Sequence, residues 1–185
     1  MKKSTQKAIG QVKVLGMYGK KYRDESVYPF TLRKLAKDVK GNKPEAIAIA
    51  SLLLSEIVTP GAVLIPVPQS DGKARYTLEL ANSIREIRKD CRVYDILSGE
   101  CRDRLYDIKK TNPKLKGVNL GFKVVADAET SVTLRENKNI FLVDNVLATG
   151  FTYRQATKAL DGYVSAIPSI LAIGATSRWT DIIQN

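Results

Sequence analysis

The chain has 185 residues and a net charge of +11, from 30 Lys and Arg against 19 Asp and Glu. That length suits a single domain over 1–185 with one substantial core, and no apolar run approaches the roughly 18 to 20 residues of a membrane span. The complete absence of His excludes Ser-His-Asp and Cys-His machinery within the chain.

Met1-Lys-Lys-Ser leads into polar residues rather than a signal-peptide core, so a cytoplasmic protein without a membrane partner is expected. Cys91 and Cys101 have no paired spacing and no His to join them; reduced thiols are expected, not a metal site. The positive charge suits a polyanionic partner. Because Lys and Arg are spread along the chain, without a helix-turn-helix, zinc-finger or aromatic-sheet motif, a small ligand with several negative charges explains the field alongside non-specific nucleic acid.

Residues 1–41 are a basic, Tyr-rich lead, read as a small hood. Within it Val12 to Leu15 suggest a strand, and Leu32, Leu35, Ala36 and Val39 have helical spacing. Asn42 is placed to cap the next helix, with Pro44 in its first turn and Glu45 as the reciprocal acid of a capping box. From Ala46 to Ile57 this helix is apolar on nearly all sides, which predicts burial against a sheet. Thr59-Pro60-Gly61 ends it.

Val63 to Ile65 read as a central strand. Pro66 and Pro68 cannot donate ladder hydrogen bonds, so the strand must give way to a stiff loop ending in Ser70-Asp71-Gly72-Lys73, with a hydroxyl, a permissive glycine and a cation. The helix that follows carries Leu80, Ala81, Ile84 and Ile87 on one face. Arg92 to Leu97 read as another strand, with Val93, Tyr94 and Ile96 as core candidates. Between Ser98 and Gly121 the pattern dissolves into Arg102, Arg104, Lys109, Lys110, Lys114 and Lys116. A basic stretch without apolar period, inside a compact domain, reads as a mobile functional loop, with a solvated excursion as the alternative. Leu120 to Ala126 return to strand character, and Asp127 to Asn139 read as a polar hairpin or loop.

Ile140 to Val143 form an apolar, β-prone run suited to a strand buried on both faces. The run stops at Asp144-Asn145, placing a carboxylate at the strand's carboxyl end, where open α/β sheets bind ligands. Ala148-Thr149-Gly150-Phe151-Thr152 then lead into a helical pattern, Tyr153 to Leu160. Such a turn aims backbone N–H groups, two hydroxyls and a helix N-terminus at one spot, which is an anion site. Acid and turn are about one loop apart, the separation of the two ends of a ribose 5-phosphate. Ser169 to Ala175 read as a last buried strand. Alternating strands and helices predict an α/β fold with a mainly parallel, doubly wound sheet; no Walker P-loop or Gly-x-Gly-x-x-Gly is present.

The order of apolar strand, acid, two apolar residues, small residue and Thr-Gly-x-Thr resembles the signature of the type I phosphoribosyltransferases, which bind 5-phosphoribosyl 1-pyrophosphate (PRPP). The resemblance covers residues 45–175, and the Pro66-Val67-Pro68 loop looks most like the branch related to the competence protein ComF. It implies a type I phosphoribosyltransferase core over 45–175 with 1–41 as its hood. It also implies that Asp144 and Asn145 face the ribose hydroxyls and that Ala148, Thr149, Gly150, Phe151 and Thr152 cradle the 5-phosphate. Pro68, Gln69, Ser70, Asp71, Gly72 and Lys73 would hold the pyrophosphate, with a lid cation such as Lys109 or Lys110 meeting it. Mg2+ would be the cofactor, touching Asp144 indirectly through the ribose or water.

The implied reaction moves ribose 5-phosphate from PRPP to a nitrogen base and releases pyrophosphate. Two departures stand out. Asn145 replaces the second acid of most members, and Lys73-Ala-Arg-Tyr-Thr77 replaces the Arg-Gly-Phe-Asn-Gln usual in the ComF-like branch. They keep a second reading open, a non-catalytic PRPP-binding regulator or DNA-uptake accessory protein. A homodimer is also open.

Overall fold

The computed structural model describes residues 10–16, 32–103 and 119–176. Five strands form one sheet in the order β1 (Val12–Val14), β7 (Ser169–Ala175), β6 (Ile140–Leu147), β2 (Val63–Pro66) and β3 (Arg92–Val93), and every pairing is parallel. Two short strands, β4 (Leu97–Ser98) and β5 (Lys123–Val124), pair antiparallel beside it. The five described helices are α1 (Leu32–Lys40), α2 (Pro44–Ser55), α3 (Tyr76–Ile87), α4 (Ala128–Glu136) and α5 (Phe151–Ala159).

Side-chain alternation along the central strands divides the core into two layers. Leu64, Phe141, Val143, Leu171 and Ile173 pack with α1, α2 and α3 on one face. Val63, Ile65, Ile140, Leu142, Ile170 and Ala172 pack with Leu134 of α4 and Tyr153 and Ala156 of α5 on the other. The sheet is therefore doubly wound. From β2 the chain crosses through α3 to β3 on one side, and from β6 it crosses through α5 to β7 on the opposite side. The β2/β6 boundary is thus the topological switch point, and a crevice opens at the carboxyl ends of these two strands.

Several expectations change. The described parts of the 1–41 lead belong to the core, not to a separate hood. β1 pairs with β7, and Leu35, Ala36 and Val39 of α1 are buried beneath α2 and the sheet. Asn42 does not cap α2; it takes the left-handed conformation (φ 56°) that closes α1, and Lys43 occupies the cap position without a side-chain hydrogen bond. α2 leaves Ile49, Leu52 and Leu53 exposed, so burial covers only its inner face. Arg92 to Leu97 break into β3 and β4. The strand expected over Leu120 to Ala126 shrinks to Lys123–Val124. Residues read as a polar hairpin form α4, capped by Asp127, whose Oδ1 accepts from Thr130 N at 2.7 Å.

Candidate functional site

β6 does not end at Asp144. β2 leaves the ladder at Pro66, opposite Val143, but β7 continues beside β6 to Leu147. Asp144 and Asn145 therefore lie in a stretch of strand paired on one side and open on the other. The opening exists because Pro66 and Pro68 cannot extend β2. Since successive strand residues point to opposite faces, the two side chains part company.

Asp144 lines a cavity of about 280 Å³ with Val146 and the whole of Leu147 to Tyr153, floored by Ile170. The structure thus brings together the acid and all five residues of the turn, Ala148, Thr149, Gly150, Phe151 and Thr152. Gly150 has φ 66°, the left-handed conformation that swings the chain into α5. The Thr149 hydroxyl accepts weakly from Phe151 N at 3.4 Å, and no acid occupies the first turn of α5. The positive end of α5 faces the cavity, together with the Asp144 carboxylate. Thr176 steadies the turn by donating its hydroxyl to Ala148 O at 2.7 Å.

Asn145 does not line this cavity. Its Oδ1 accepts from the Tyr76 hydroxyl of α3 at 3.3 Å, on the other face of the sheet. Its backbone N–H donates to Asp144 Oδ1 at 2.7 Å. Burial pushes the Asp144 carboxyl up to about 6, opposed by that N–H and by the charge of Lys40 at the end of α1. At neutral pH the ionised form of Asp144 predominates. The group is thus a charge held against desolvation, poised to change state near working pH.

The loop after β2 stands across the switch point from this cavity and contributes none of its lining residues. Much of it is committed to its own shape. With its amide oxygen turned toward α3, Gln69 accepts from the backbone N–H groups of Arg75 and Tyr76 at 3.3 and 3.2 Å, capping that helix. Asp71 accepts from Lys73 N at 3.1 Å and pairs with Arg75 at 2.6 Å. Pro68 is buried, Ser70 is partly exposed and Lys73 is exposed. Gly72 has φ 81°, and a Cβ there would lie 2.2 Å from Gly99 O. Lys109 and Lys110, expected on a lid, lie outside the described residues.

Sequence reasoning missed Tyr76, Lys40 and Tyr153. Tyr153 is buried, its ring lines the cavity, and its hydroxyl donates to Pro168 O at 2.6 Å while accepting from Gly10 N at 3.0 Å. A Tyr three residues after the Thr-Gly glycine, in the first turn of the helix, was the available signal. A larger hollow of about 1050 Å³ lies at the amino ends of the strands. Several of its polar groups are engaged: Asn139 donates to Pro60 O, Asn137 to Gly61 O, and Asp90 accepts from Gly61 N and Arg88. These bonds fasten the turns at this end together.

Among the described residues, no group of three or more His, Cys, Asp or Glu could hold a metal ion, and no helix is long and apolar enough to cross a membrane. Comparison with protein-family models gives no match, and comparison with curated proteins gives none.

Proposed function

We propose that the chain is a phosphoribosyltransferase of the type I kind, binding PRPP at the switch-point crevice and transferring ribose 5-phosphate to a nitrogen base. The observation that carries this reading is the shared cavity of Asp144 and the Ala148–Thr152 turn. A turn of N–H groups and hydroxyls at a helix start fits a phosphate monoester, and a carboxylate in the same cavity fits a diol.

In the proposed reaction the bond from the anomeric carbon to pyrophosphate oxygen breaks, and a bond to the base nitrogen forms. The ring carbon gains cationic character between these events. Asp144, anionic and partly desolvated, fixes the ribose and opposes that positive charge. Mg2+ binds through one or two carboxylates and takes its remaining oxygens from water and substrate phosphates. Asp144 is the single carboxylate lining the cavity, so it fits that ion as an outer contact, and when bound the ion neutralises the leaving pyrophosphate.

A second reading, a PRPP-binding regulator without turnover, is favoured by Asn145. Its carbonyl is engaged by Tyr76 and it supplies no second negative charge. The experiment that separates the two is a thermal melt with PRPP and Mg2+, followed by pyrophosphate release across a panel of bases. Ligand at 100 times its dissociation constant stabilises by about 2.7 kcal/mol, which raises the melting temperature by roughly 5 to 10 °C. Base-dependent release of pyrophosphate supports the transferase; a melting shift without release supports the regulator. No shift at millimolar PRPP would end both.

A further inference from the structure

Asn145 lies outside the cavity of Asp144 and the Thr-Gly turn, yet its side chain is held in one orientation. It follows Phe141 and Val143 at two-residue spacing, so it points to the face of the sheet on which α1 and α3 pack. There its Oδ1 accepts from the Tyr76 hydroxyl. An amide can be turned end for end and a phenol can also accept, so the direction of this bond needs a physical reason. Tyr76 is buried, and among the described residues Asn145 Oδ1 is the acceptor its hydroxyl reaches. With the amide reversed, the phenol proton would be buried without a partner, which is costly. Tyr76 therefore donates, and the Asn145 NH2 group is turned away from it.

Among the described residues that NH2 group has no hydrogen-bond partner, and Asn145 is half-buried in the open stretch of β6. Lys40 ends α1 on the same face. It is exposed, has no ion pair among the described residues, and stands near enough to Asp144 for its charge to act on that carboxyl. On this side of the crevice the free side-chain groups are thus donors, an amide NH2 and an ammonium. A ligand group that reaches Asn145 is not the sugar phosphate, because Asp144 and the turn lie on the opposite face. One ammonium and a neutral amide are too little positive charge for a pyrophosphate with several negative charges. They suit the ring oxygens of a heterocycle.

We propose that Tyr76 is a positioning residue that fixes Asn145 as a hydrogen-bond donor, and that the acceptor substrate is a nitrogen heterocycle bearing ring oxo groups rather than amino groups. This rests on the PRPP reading and names the class of base. An oxo group accepts from the fixed NH2, whereas an amino group at the same ring position sets donor against donor.

Isothermal titration of the full chain with uracil, cytosine, hypoxanthine and adenine, each with and without ribose 5-phosphate, tests the proposal. Within each pair, pyrimidine or purine, one ring position exchanges oxo for amino at nearly constant size. Uracil should bind at least about tenfold tighter than cytosine, and hypoxanthine than adenine, because the amino member leaves a donor unpaired. Tyr76→Phe keeps the ring and frees the amide to turn, so each preference should shrink to about threefold or less. Asn145→Ala, which removes the amide itself, should do the same. Ribose 5-phosphate affinity should stay within about twofold in both variants, because neither residue lines its cavity. A merely structural Tyr76 would weaken all four heterocycles alike and keep the preference, which overturns the proposal. No preference in the wild type, preference for the amino members, or no heterocycle binding at all also overturns it. So does weaker binding of inorganic pyrophosphate by Tyr76→Phe with the oxo preference intact, which would give the amide to the leaving group. Oxo-selective binding that depends on Tyr76, without any ribose 5-phosphate binding, sustains the selectivity and sinks the transferase reading.

Discussion

The Tyr76 hydroxyl donates to Asn145 Oδ1 at 3.3 Å, joining the first residue of α3 to the open stretch of β6. Burial first, and the charge of Asp144 second, raise the Tyr76 pKa, so the phenol stays a neutral donor. Tyr76→Phe keeps the packed ring and removes only the bond. Stability should fall by about 0.5 to 1.5 kcal/mol, the net worth of one hydrogen bond. Urea unfolding measures it, and an unchanged midpoint would mean that the bond contributes nothing in solution.

Asp144 sets a second prediction through its titration. Its folded-state pKa, about 6, lies above the ordinary 3.8 because burial disfavours the charge. The folded chain thus holds this proton more tightly than the unfolded chain. The stability it contributes is fully present below the unfolded value and is lost as pH rises through the folded one. The full shift corresponds to at most about 3 kcal/mol, and partial exposure reduces this to about 1 to 2 kcal/mol. Asp144→Asn should therefore raise the melting temperature at pH 7 and flatten the fall between about pH 4 and 6. Parallel profiles for variant and wild type would show that Asp144 titrates normally. PRPP affinity should move the opposite way in the wild type, strengthening as the carboxylate ionises.

The parts legible in the sequence were those where one local signal decides. β2, β6 and β7 are short runs of Val, Ile, Leu and Phe, and α1 and α3 repeat apolar residues every three or four positions. α4 was not legible because, among its residues, only Leu134 is buried, so no apolar stripe marks it. The continuation of β6 beyond Asp144 was hidden for a different reason. It depends on pairing with β7, and polarity at Asp144-Asn145 looks like a strand end when β7 is out of view. That error concealed the most useful consequence, the placement of the two side chains on opposite faces. The partnership of Tyr76 with Asn145 spans 69 positions and carries no local signature. The helix start after the Thr-Gly turn, close to Asp144, was legible because that stretch is contiguous.

Gly72 offers a test of the loop's geometry with an internal control. Gly72 and Gly162 both have positive φ, 81° and 85°, but only Gly72 has a backbone atom where a Cβ would go. Gly162→Ala should cost only the conformational penalty, about 1 to 2 kcal/mol. Gly72→Ala adds a backbone clash and should cost about 2 to 4 kcal/mol. Equal losses in chemical denaturation would show that residues 72 and 99 are not in contact.

Thr149 and Thr152 separate phosphate binding from helix capping. Among the described residues, Thr149 Oγ1 accepts only the long hydrogen bond from Phe151 N. Thr149→Val and Thr152→Val should each weaken ribose 5-phosphate binding by about 1.5 to 3 kcal/mol, the worth of a charge-assisted hydrogen bond. Melting temperatures of the free variants should stay within about 2 °C. Calorimetric titration decides it: lost stability with intact affinity would make the hydroxyls helix caps only.

Asn145→Asp distinguishes an adapted transferase from a binding module. A carboxylate at 145 can still accept from the Tyr76 hydroxyl, so the fold has no reason to reject it. It would lie one residue from Asp144 on the opposite face of the strand, and a like charge acting across the strand raises a carboxyl pKa. Asp144 is already raised to about 6, so the substitution should push it further up and leave less Asp144 ionised at pH 7. A transferase adapted to the amide should therefore lose turnover at pH 7 and recover it toward pH 8.5, while Asp144→Asn should abolish turnover throughout. A binding module should release no pyrophosphate as wild type with any base, whatever the pH. Pyrophosphate release measured from pH 6 to 9 for the three chains decides between them. Undiminished turnover by Asp144→Asn would remove Asp144 from the proposed chemistry altogether.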